Sequence, residues 1–119
     1  MKRLILALVM GMAAGAAWAG GWTTTYSLAG GTVGVTNTQA NSSWVPVSVM
    51  LKFTVSGSGT TEVWRVSQEY SFMLANCAFS NAATVVWVPD AAYPFGPGEA
   101  LVIRSSRTNG IVQVIRKGD

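Results

Sequence analysis

Trp44–Val66 reads WVPVSVMLKFTVSGSGTTEVWRV, and this stretch decides the fold. Every odd position from Val45 to Val55 is apolar, and most of the even positions between them are polar. Alternation with a period of two is typical of a strand with one buried face. Ser56–Gly59 then offers a glycine-containing loop between two apolar runs, so the stretch predicts a β-hairpin.

The hairpin register follows from the same alternation. A four-residue loop at Ser56–Gly59 pairs Leu51 with Trp64 and Val49 with Val66, because cross-strand partners point to the same face. This register predicts a core face made of Val49, Leu51, Phe53, Trp64 and Val66. It places Trp44, Met50, Lys52 and Arg65 on the outer face, and a binding surface on the sheet is expected there.

Other short strands are predicted on both sides of this hairpin. They are Trp22–Leu28, Thr32–Thr36, Glu69–Asn76, Thr84–Val88, and a closing hairpin of Glu99–Ser106 with Ile111–Lys117. A three-residue loop with a left-handed Gly110 is expected to join the last two, pairing Ile103 with Ile115. No helical period follows residue 20. The sequence therefore predicts an all-β fold: a small antiparallel β-sandwich, jelly-roll-like or Ig-like, of about seven to eight strands.

The first nineteen residues have the composition of a signal peptide. Lys2 and Arg3 precede an apolar run, and Ala17-Trp18-Ala19 fits the small residues of a cleavage site before Gly20. The apolar run is short for a membrane span of about 20 residues. The predicted organisation is a signal peptide at 1–19 and a single β-domain at 20–119, with a secreted, periplasmic or cell-surface location.

Removing that segment also removes most of the positive charge. Residues 20–119 contain six Lys or Arg and five Asp or Glu, so their side chains carry a net charge of +1. Nucleic-acid binding therefore loses its electrostatic support. Cys77 is the only cysteine, which excludes an intrachain disulfide; its apolar neighbours predict a buried thiol.

Catalytic chemistry has little support in the sequence. The chain has no histidine, which excludes Ser-His-Asp and Cys-His arrangements and any histidine metal site. Calcium held by Asp90 and Glu99 lacks a spaced acidic motif. We therefore predict no enzyme, no catalytic residue, no metal and no cofactor.

Aromatic side chains outside the predicted core are the best indication of a binding site. Trp44 lies at an even strand position, and Tyr93 and Phe95 lie in a loop rich in Pro and Gly. Such rings either stack on a ligand or fold back as a lid over the end of the domain, and the lid is favoured for Phe95. The candidate binding surface is Trp44, Met50, Lys52, Arg65 and Tyr93.

The leading hypothesis for function is an exported, non-catalytic structural or adhesive β-sandwich of a bacterium, a cell-surface, appendage or matrix subunit. Its partners would be other copies of itself or other surface proteins, with membrane contact only during export. The first alternative is a carbohydrate-binding module that uses Trp44 and Tyr93 on a glycan. The second is a phage-derived virion-like module, although the exported N-terminus argues against assembly of a virion in the cytoplasm. Residues 93–103 look like the loop-to-strand entry of many bacterial and phage β-sandwich modules.

Overall fold

The computed structural model describes residues 21–118, which contain strands and no helix. The predicted signal peptide at 1–19 lies outside the described residues. The strands are β1 (Gly21–Ser27), β2 (Thr32–Thr36), β3 (Trp44–Val66), β4 (Ser71–Trp87), β5 (Ala100–Ser105) and β6 (Gly110–Gly118). No helix within residues 21–118 is long and apolar enough to cross a membrane.

All six strands belong to one antiparallel sheet. Its order is β1-β6-β3-β5-β2, and β4 lies on β3. β3 is the centre of this arrangement: its first part, 44–53, pairs with β6, and its last part, 61–66, pairs with β5. The sheet forms a half-barrel. The prediction of an all-β, antiparallel fold is confirmed. The prediction of two packed sheets with about seven to eight strands is not confirmed, because the described strands form a single curved sheet.

The predicted hairpin at Ser56–Gly59 is wrong, because β3 continues through it as one strand of 23 residues. The glycines of this stretch allow another segment of the chain to pack closely against β3. A Cβ on Gly57 would lie 1.6 Å from Arg107 Nη1, and one on Gly59 would lie 2.4 Å from Ser106 Oγ. Glycine is the residue that admits such an approach of another segment to a strand. The chain reverses only after Val66, where the amide of Ser67 donates to the carbonyl of Tyr70 at 2.9 Å.

The faces of β3 change accordingly. Val49, Leu51 and Phe53 are buried as predicted, but Val63 takes the core position in the last part of the strand. Trp64 and Val66 lie on the opposite face, with Trp64 beside Val102 of β5. Register shifts against β4 near Gly57 and Gly59 separate the two parts of the strand. The buried core comprises Leu28, Val33, Val35, Trp44, Val49, Leu51, Phe53, Val63, Val85, Phe95, Leu101, Ile103, Val112 and Val114.

β4 is likewise longer than predicted. Two strands were predicted, Glu69–Asn76 and Thr84–Val88, but one strand of 17 residues covers both, with Asn81 at a φ of 49°. Phe72 on this strand is 58% exposed. Cys77 is also exposed, so the prediction of a buried thiol is wrong.

The predicted closing hairpin does not form either. β5 pairs with β2 and β3, while β6 pairs with β1 and β3, so the last two strands do not pair with each other. Both lie on the side of β3 opposite β4, one along each part of that strand. Gly110 is not left-handed; Gly31 and Gly98 are the described glycines with positive φ. Gly110 instead lies against the backbone of Lys52 and Phe53 in β3.

Candidate functional site

The five residues of the predicted binding surface do not come together. Met50 and Lys52 lie on the outer face of the sheet, beside Val86 and Thr84 of β4. Trp44 is only 1% exposed, and Arg65 lies on the inner face in register with buried Leu101. The predicted outward positions of Trp44 and Arg65 are therefore wrong.

Tyr93 lies in the loop before β5, away from that outer face. Its ring stacks near Trp87 at 6.5 Å between centroids. Its hydroxyl donates to Asp90 at 2.5 Å. This hydrogen bond, with some burial and the nearby carboxylate charge, raises the pKa of Tyr93. Tyr93 therefore belongs to a local loop contact.

The inner face contains a series of stacked rings and guanidinium groups. Phe95 folds back onto Trp44, with ring centroids 4.8 Å apart and planes inclined by 13°. The Arg65 guanidinium lies 5.3 Å from the centre of the Phe95 ring. On the other side, the Arg116 guanidinium lies 4.9 Å from Trp44 and 5.0 Å from Trp22. We call these five residues the stacked series.

One end of the stacked series is neutralised by an acid. Arg65 Nη2 donates to both carboxylate oxygens of Glu99 at 3.1 Å. Glu99 also accepts from the Tyr70 hydroxyl and from the backbone amide of Gly96. Burial opposes ionisation of Glu99, but these hydrogen bonds and the charge of Arg65 outweigh it and lower the pKa of the carboxyl. Arg65 is thus the cationic half of a structural ion pair.

The other guanidinium has no such acid. Arg116 Nη2 donates to the hydroxyl of Thr24 at 2.9 Å, and its Nε is buried without a hydrogen-bond acceptor. Within residues 21–118 the only salt bridge joins Arg65 to Glu99. Burial lowers the pKa of Arg116, with a smaller opposing effect of Tyr26. The charge of Arg116 is therefore partly desolvated without a counter-charge from the described chain.

Arg116 lines a surface cavity of about 280 Å³. β1 contributes Trp22 and Tyr26 to its wall, and residues 34–39 contribute the facing side. β1 and β2 are at opposite ends of the strand order, so the curvature of the half-barrel brings them to the same cavity. The cavity therefore lies at the mouth of the half-barrel.

Asn37 fixes the loop wall of this cavity. It is 2% exposed, and its side-chain amide donates to the carbonyls of Phe95 at 2.7 Å and Ser42 at 2.9 Å. Its side-chain oxygen accepts from the amide of Gln39 at 2.8 Å. Asn37 thus ties the cavity wall to the stacked series.

The described residues contain no group of three or more Cys, Asp, Glu or His side chains arranged to hold a metal ion. Asp90 and Glu99, the two carboxylates weighed as calcium ligands, are bonded to protein donors.

Sequence reasoning missed Arg116 because both faces of β6 are apolar. Residues 111–116 read IVQVIR, and the predicted closing hairpin placed Ile115 on the same face as Ile103. The structure buries Val112 and Val114 instead. Gln113 between those two valines was the available signal, since it indicates that even positions, including Arg116, point inward.

Comparison with known proteins yields matches in structure alone. No protein-family model and no curated protein sequence matches the chain. The structure is similar to the core of the Drosophila protein NLP, whose crystal structure is described in terms of pentamer formation and histone binding. That similarity has a TM-score of 0.51 at 11% identity and covers 83% of this chain and 97% of that one. The nucleoplasmin-like N-terminal domain of Drosophila FKBP39 aligns with a TM-score of 0.47 at 12% identity, over 87% and 92% of the two chains.

The comparison corrects the predicted function. The fold is similar to that of the NLP core, and this overturns the predicted structural or adhesive role and its surface-protein partners. The carbohydrate-binding and virion-like alternatives are overturned with it. The physical basis of the glycan hypothesis has also gone, because Trp44 is buried under Phe95 and presents no exposed ring.

Proposed function

We propose that the chain is a non-catalytic subunit of a homo-oligomer, assembled through the free edge of β4. The observation that carries the proposal is the composition of that edge. β4 pairs with β3 on one side only, and its 17 residues include no charged residue and no proline. Natural edge strands are usually protected by lysine, proline or a covering segment, because an unpaired edge is a template for another strand.

Exposed apolar side chains strengthen this proposal. Phe72 is 58% exposed, Met73 44%, Val86 55% and Val88, which follows the strand, 67%. These four are among seven large hydrophobic residues exposed within residues 21–118. Apolar surface concentrated along one strand favours a protein contact over solvent. A second copy of the chain is the partner we propose, because an uncharged apolar strand carries no charge that would select a different protein. In a closed ring, the β4 edge of each subunit contacts a different surface of its neighbour.

The fold comparison supports a closed assembly. The NLP core, which shares this fold at low identity, is described as a pentamer. A ring of this chain would cover the β4 edge of every subunit and leave none exposed. Non-catalytic function is supported by the absence of histidine from the sequence.

The histone binding described for NLP is not part of this proposal. Among residues 21–118, six Lys or Arg side chains stand against four Asp or Glu. A basic partner requires an acidic surface, because complementary charge directs association.

Light scattering coupled to size-exclusion chromatography tests the assembly. Each subunit contributes at most 12.5 kDa, and we expect a mass several times larger. Val86→Lys and Met73→Lys place a charge on the β4 edge and should yield monomers. Val55→Lys, on β3 and 62% exposed in the wild type, is the matched control and should retain the oligomer. A monomeric wild-type protein at high micromolar concentration would refute the proposal.

Export is a separate proposal that rests on residues 1–19 alone. Expression of the full chain with its first nineteen residues should give a product that begins at Gly20, as read by mass spectrometry of the intact protein. An intact mass that still includes residues 1–19 would contradict export.

A further inference from the structure

The cavity at the mouth of the half-barrel combines two features that are seldom found together. Its wall holds the Arg116 guanidinium between the indole rings of Trp22 and Trp44, at 5.0 and 4.9 Å from their centres. It contains no acidic side chain within its lining. A partly desolvated charge is costly unless it is paired, so proteins normally supply a counter-charge.

The two arginines of the stacked series provide an internal comparison. Arg65 and Arg116 both stack on an aromatic ring of the Trp44–Phe95 pair. Arg65 donates to the carboxylate of Glu99, whereas the hydrogen bond of Arg116 within residues 21–118 is to the neutral hydroxyl of Thr24. Among these residues the arrangement is thus complete at one end and has no anion at the end that opens to the cavity.

We propose that the cavity binds a carboxylate group, which pairs with Arg116 as Glu99 pairs with Arg65. This inference goes beyond the proposed assembly and uses residues that are remote in sequence from β4. The guanidinium is planar and matches a carboxylate geometrically, and the rings hold it in place so that little side-chain entropy is lost on binding.

The charge of the cavity favours a carboxylate over a phosphate. Arg116 is the only cationic side chain in the lining, so one negative charge balances the site. Phosphate sites in proteins generally use several charged or backbone donors around a dianion. The lining also includes the polar side chains of Thr36, Thr38 and Gln39, which can donate to a singly charged ligand.

Gly34 leaves room for the ligand. Gly34 lines the cavity from an exposed position of β2, and a Cβ added there would meet no atom within 4 Å. A larger side chain at position 34 is therefore accommodated at the rim of the cavity without displacing neighbouring atoms. This offers a way to block the site while Arg116 remains intact.

The test is a titration of the full chain followed by the indole N–H resonances in NMR. Acetate is added at constant ionic strength against chloride, and the resonances of Trp22 and Trp44 should shift and saturate. Arg116→Gln should weaken binding by about tenfold or more, because the charge-assisted pair is lost. Gly34→Ile should also weaken it, by narrowing the rim of the cavity.

Arg104→Gln is the matched control. The Arg104 guanidinium also lies over a tryptophan, at 5.4 Å from the Trp64 ring, but it is exposed on the outer face. This variant should bind acetate as the wild type does. If Arg116→Gln fails to fold by circular dichroism, the wild-type and Gly34→Ile titrations decide the question.

Two further ligands complete the experiment. One is phosphate, and the other is a peptide with capped, uncharged ends and a single glutamate. Tighter binding of the peptide than of acetate assigns the site to an acidic side chain of a protein, and equal binding assigns it to a small free carboxylate. The proposal is overturned by the absence of a saturable shift, by a shift that persists in Arg116→Gln, or by tighter binding of phosphate than of acetate. An oligomer that binds no acetate would refute this inference alone, and a monomer that binds it would refute only the proposed assembly.

Discussion

Trp44 and Phe95 are joined by both their backbones and their rings. The amide of each donates to the carbonyl of the other, with N–O distances of 2.8 and 3.3 Å, and their rings stack at 4.8 Å. Phe95 belongs to the loop between β4 and β5, and Trp44 begins β3. The pair therefore fixes a long loop against the first residue of the central strand, and the prediction of Phe95 as a lid is confirmed by its complete burial.

Phe95→Ala should destabilise the protein by about 3–5 kcal/mol, because it leaves a cavity beneath Trp44 and removes a ring from the stacked series. Urea unfolding followed by tryptophan fluorescence measures the loss. Val55→Ala, at a side chain that is 62% exposed, should change stability by less than about 0.5 kcal/mol. Equal effects of the two substitutions would contradict the role given to Phe95.

Glu99 should make stability depend on pH in the acid range. Its pKa is lowered in the folded state from an ordinary value of 4.5. The stabilisation is therefore complete above the pKa of the unfolded chain and is lost as the pH falls below about 4.5 through the lower, folded value. Urea midpoints from about pH 6 to about pH 3 should fall for the wild type and fall less for Glu99→Gln.

Glu99→Gln should also cost about 1–3 kcal/mol at neutral pH, since three donors lose a charged acceptor. Glu69→Gln, an exposed position in the turn between β3 and β4, serves as the control and should keep the wild-type pH dependence. An unchanged slope in Glu99→Gln would show that other carboxyls determine the acid unfolding.

Gly110→Ala should be destabilising by about 1–3 kcal/mol, because its Cβ would lie 2.2 Å from the carbonyl oxygen of Lys52, which belongs to the backbone of β3. Gly34→Ala is the matched control in another strand, where a Cβ meets open space. It should be neutral or slightly stabilising, by up to about 1 kcal/mol, since alanine restricts the unfolded chain. Thermal unfolding of both variants decides between close packing and a simple propensity effect.

The rate at which a thiol reagent labels Cys77 should depend on assembly. The thiol is exposed in the single chain and lies in β4, the edge proposed for assembly. A thiol reagent should label it about tenfold or more faster in monomeric Val86→Lys than in the wild-type oligomer, because the neighbouring subunit covers the edge. Urea-unfolded protein gives the rate of full exposure. Equal rates in the folded wild type and Val86→Lys would place Cys77 outside the contact.

The strand positions were largely predictable, and their partners were not. Alternation located β1, β2, β5 and β6 within about two residues, because a one-sided strand imposes its period on the sequence. The glycines of Ser56–Gly59 were interpreted as a turn, yet their role is to admit Arg107 and Ser106 from a distant segment. That requirement is tertiary, and local sequence does not distinguish it from a turn.

The candidate site was missed for a related reason. Predicting the hairpin reversed the faces of Arg65 and Trp64, since a strand that does not turn keeps its own alternation. Trp44 was expected outside because its parity matches Lys52, but a register shift of β3 against β6 lies between Pro46 and Ser48. A single shifted residue exchanges the faces of a strand. Pro46 was the available signal, because proline within a strand is confined to edges, strand starts and bulges.

The continuity of β3 has a consequence for protein synthesis. Its first part needs β6 as a neighbour and its last part needs β5, while β1 pairs only with β6. β3 and β1 therefore cannot complete their strand pairing until residues 110–118 have left the ribosome. Because non-local pairing carries the entropy cost of closing long loops before any contact repays it, the nascent chain has no complete half that can fold early. Until then the edges of β3 and β4 stay unpaired, and unpaired edges are prone to misassembly.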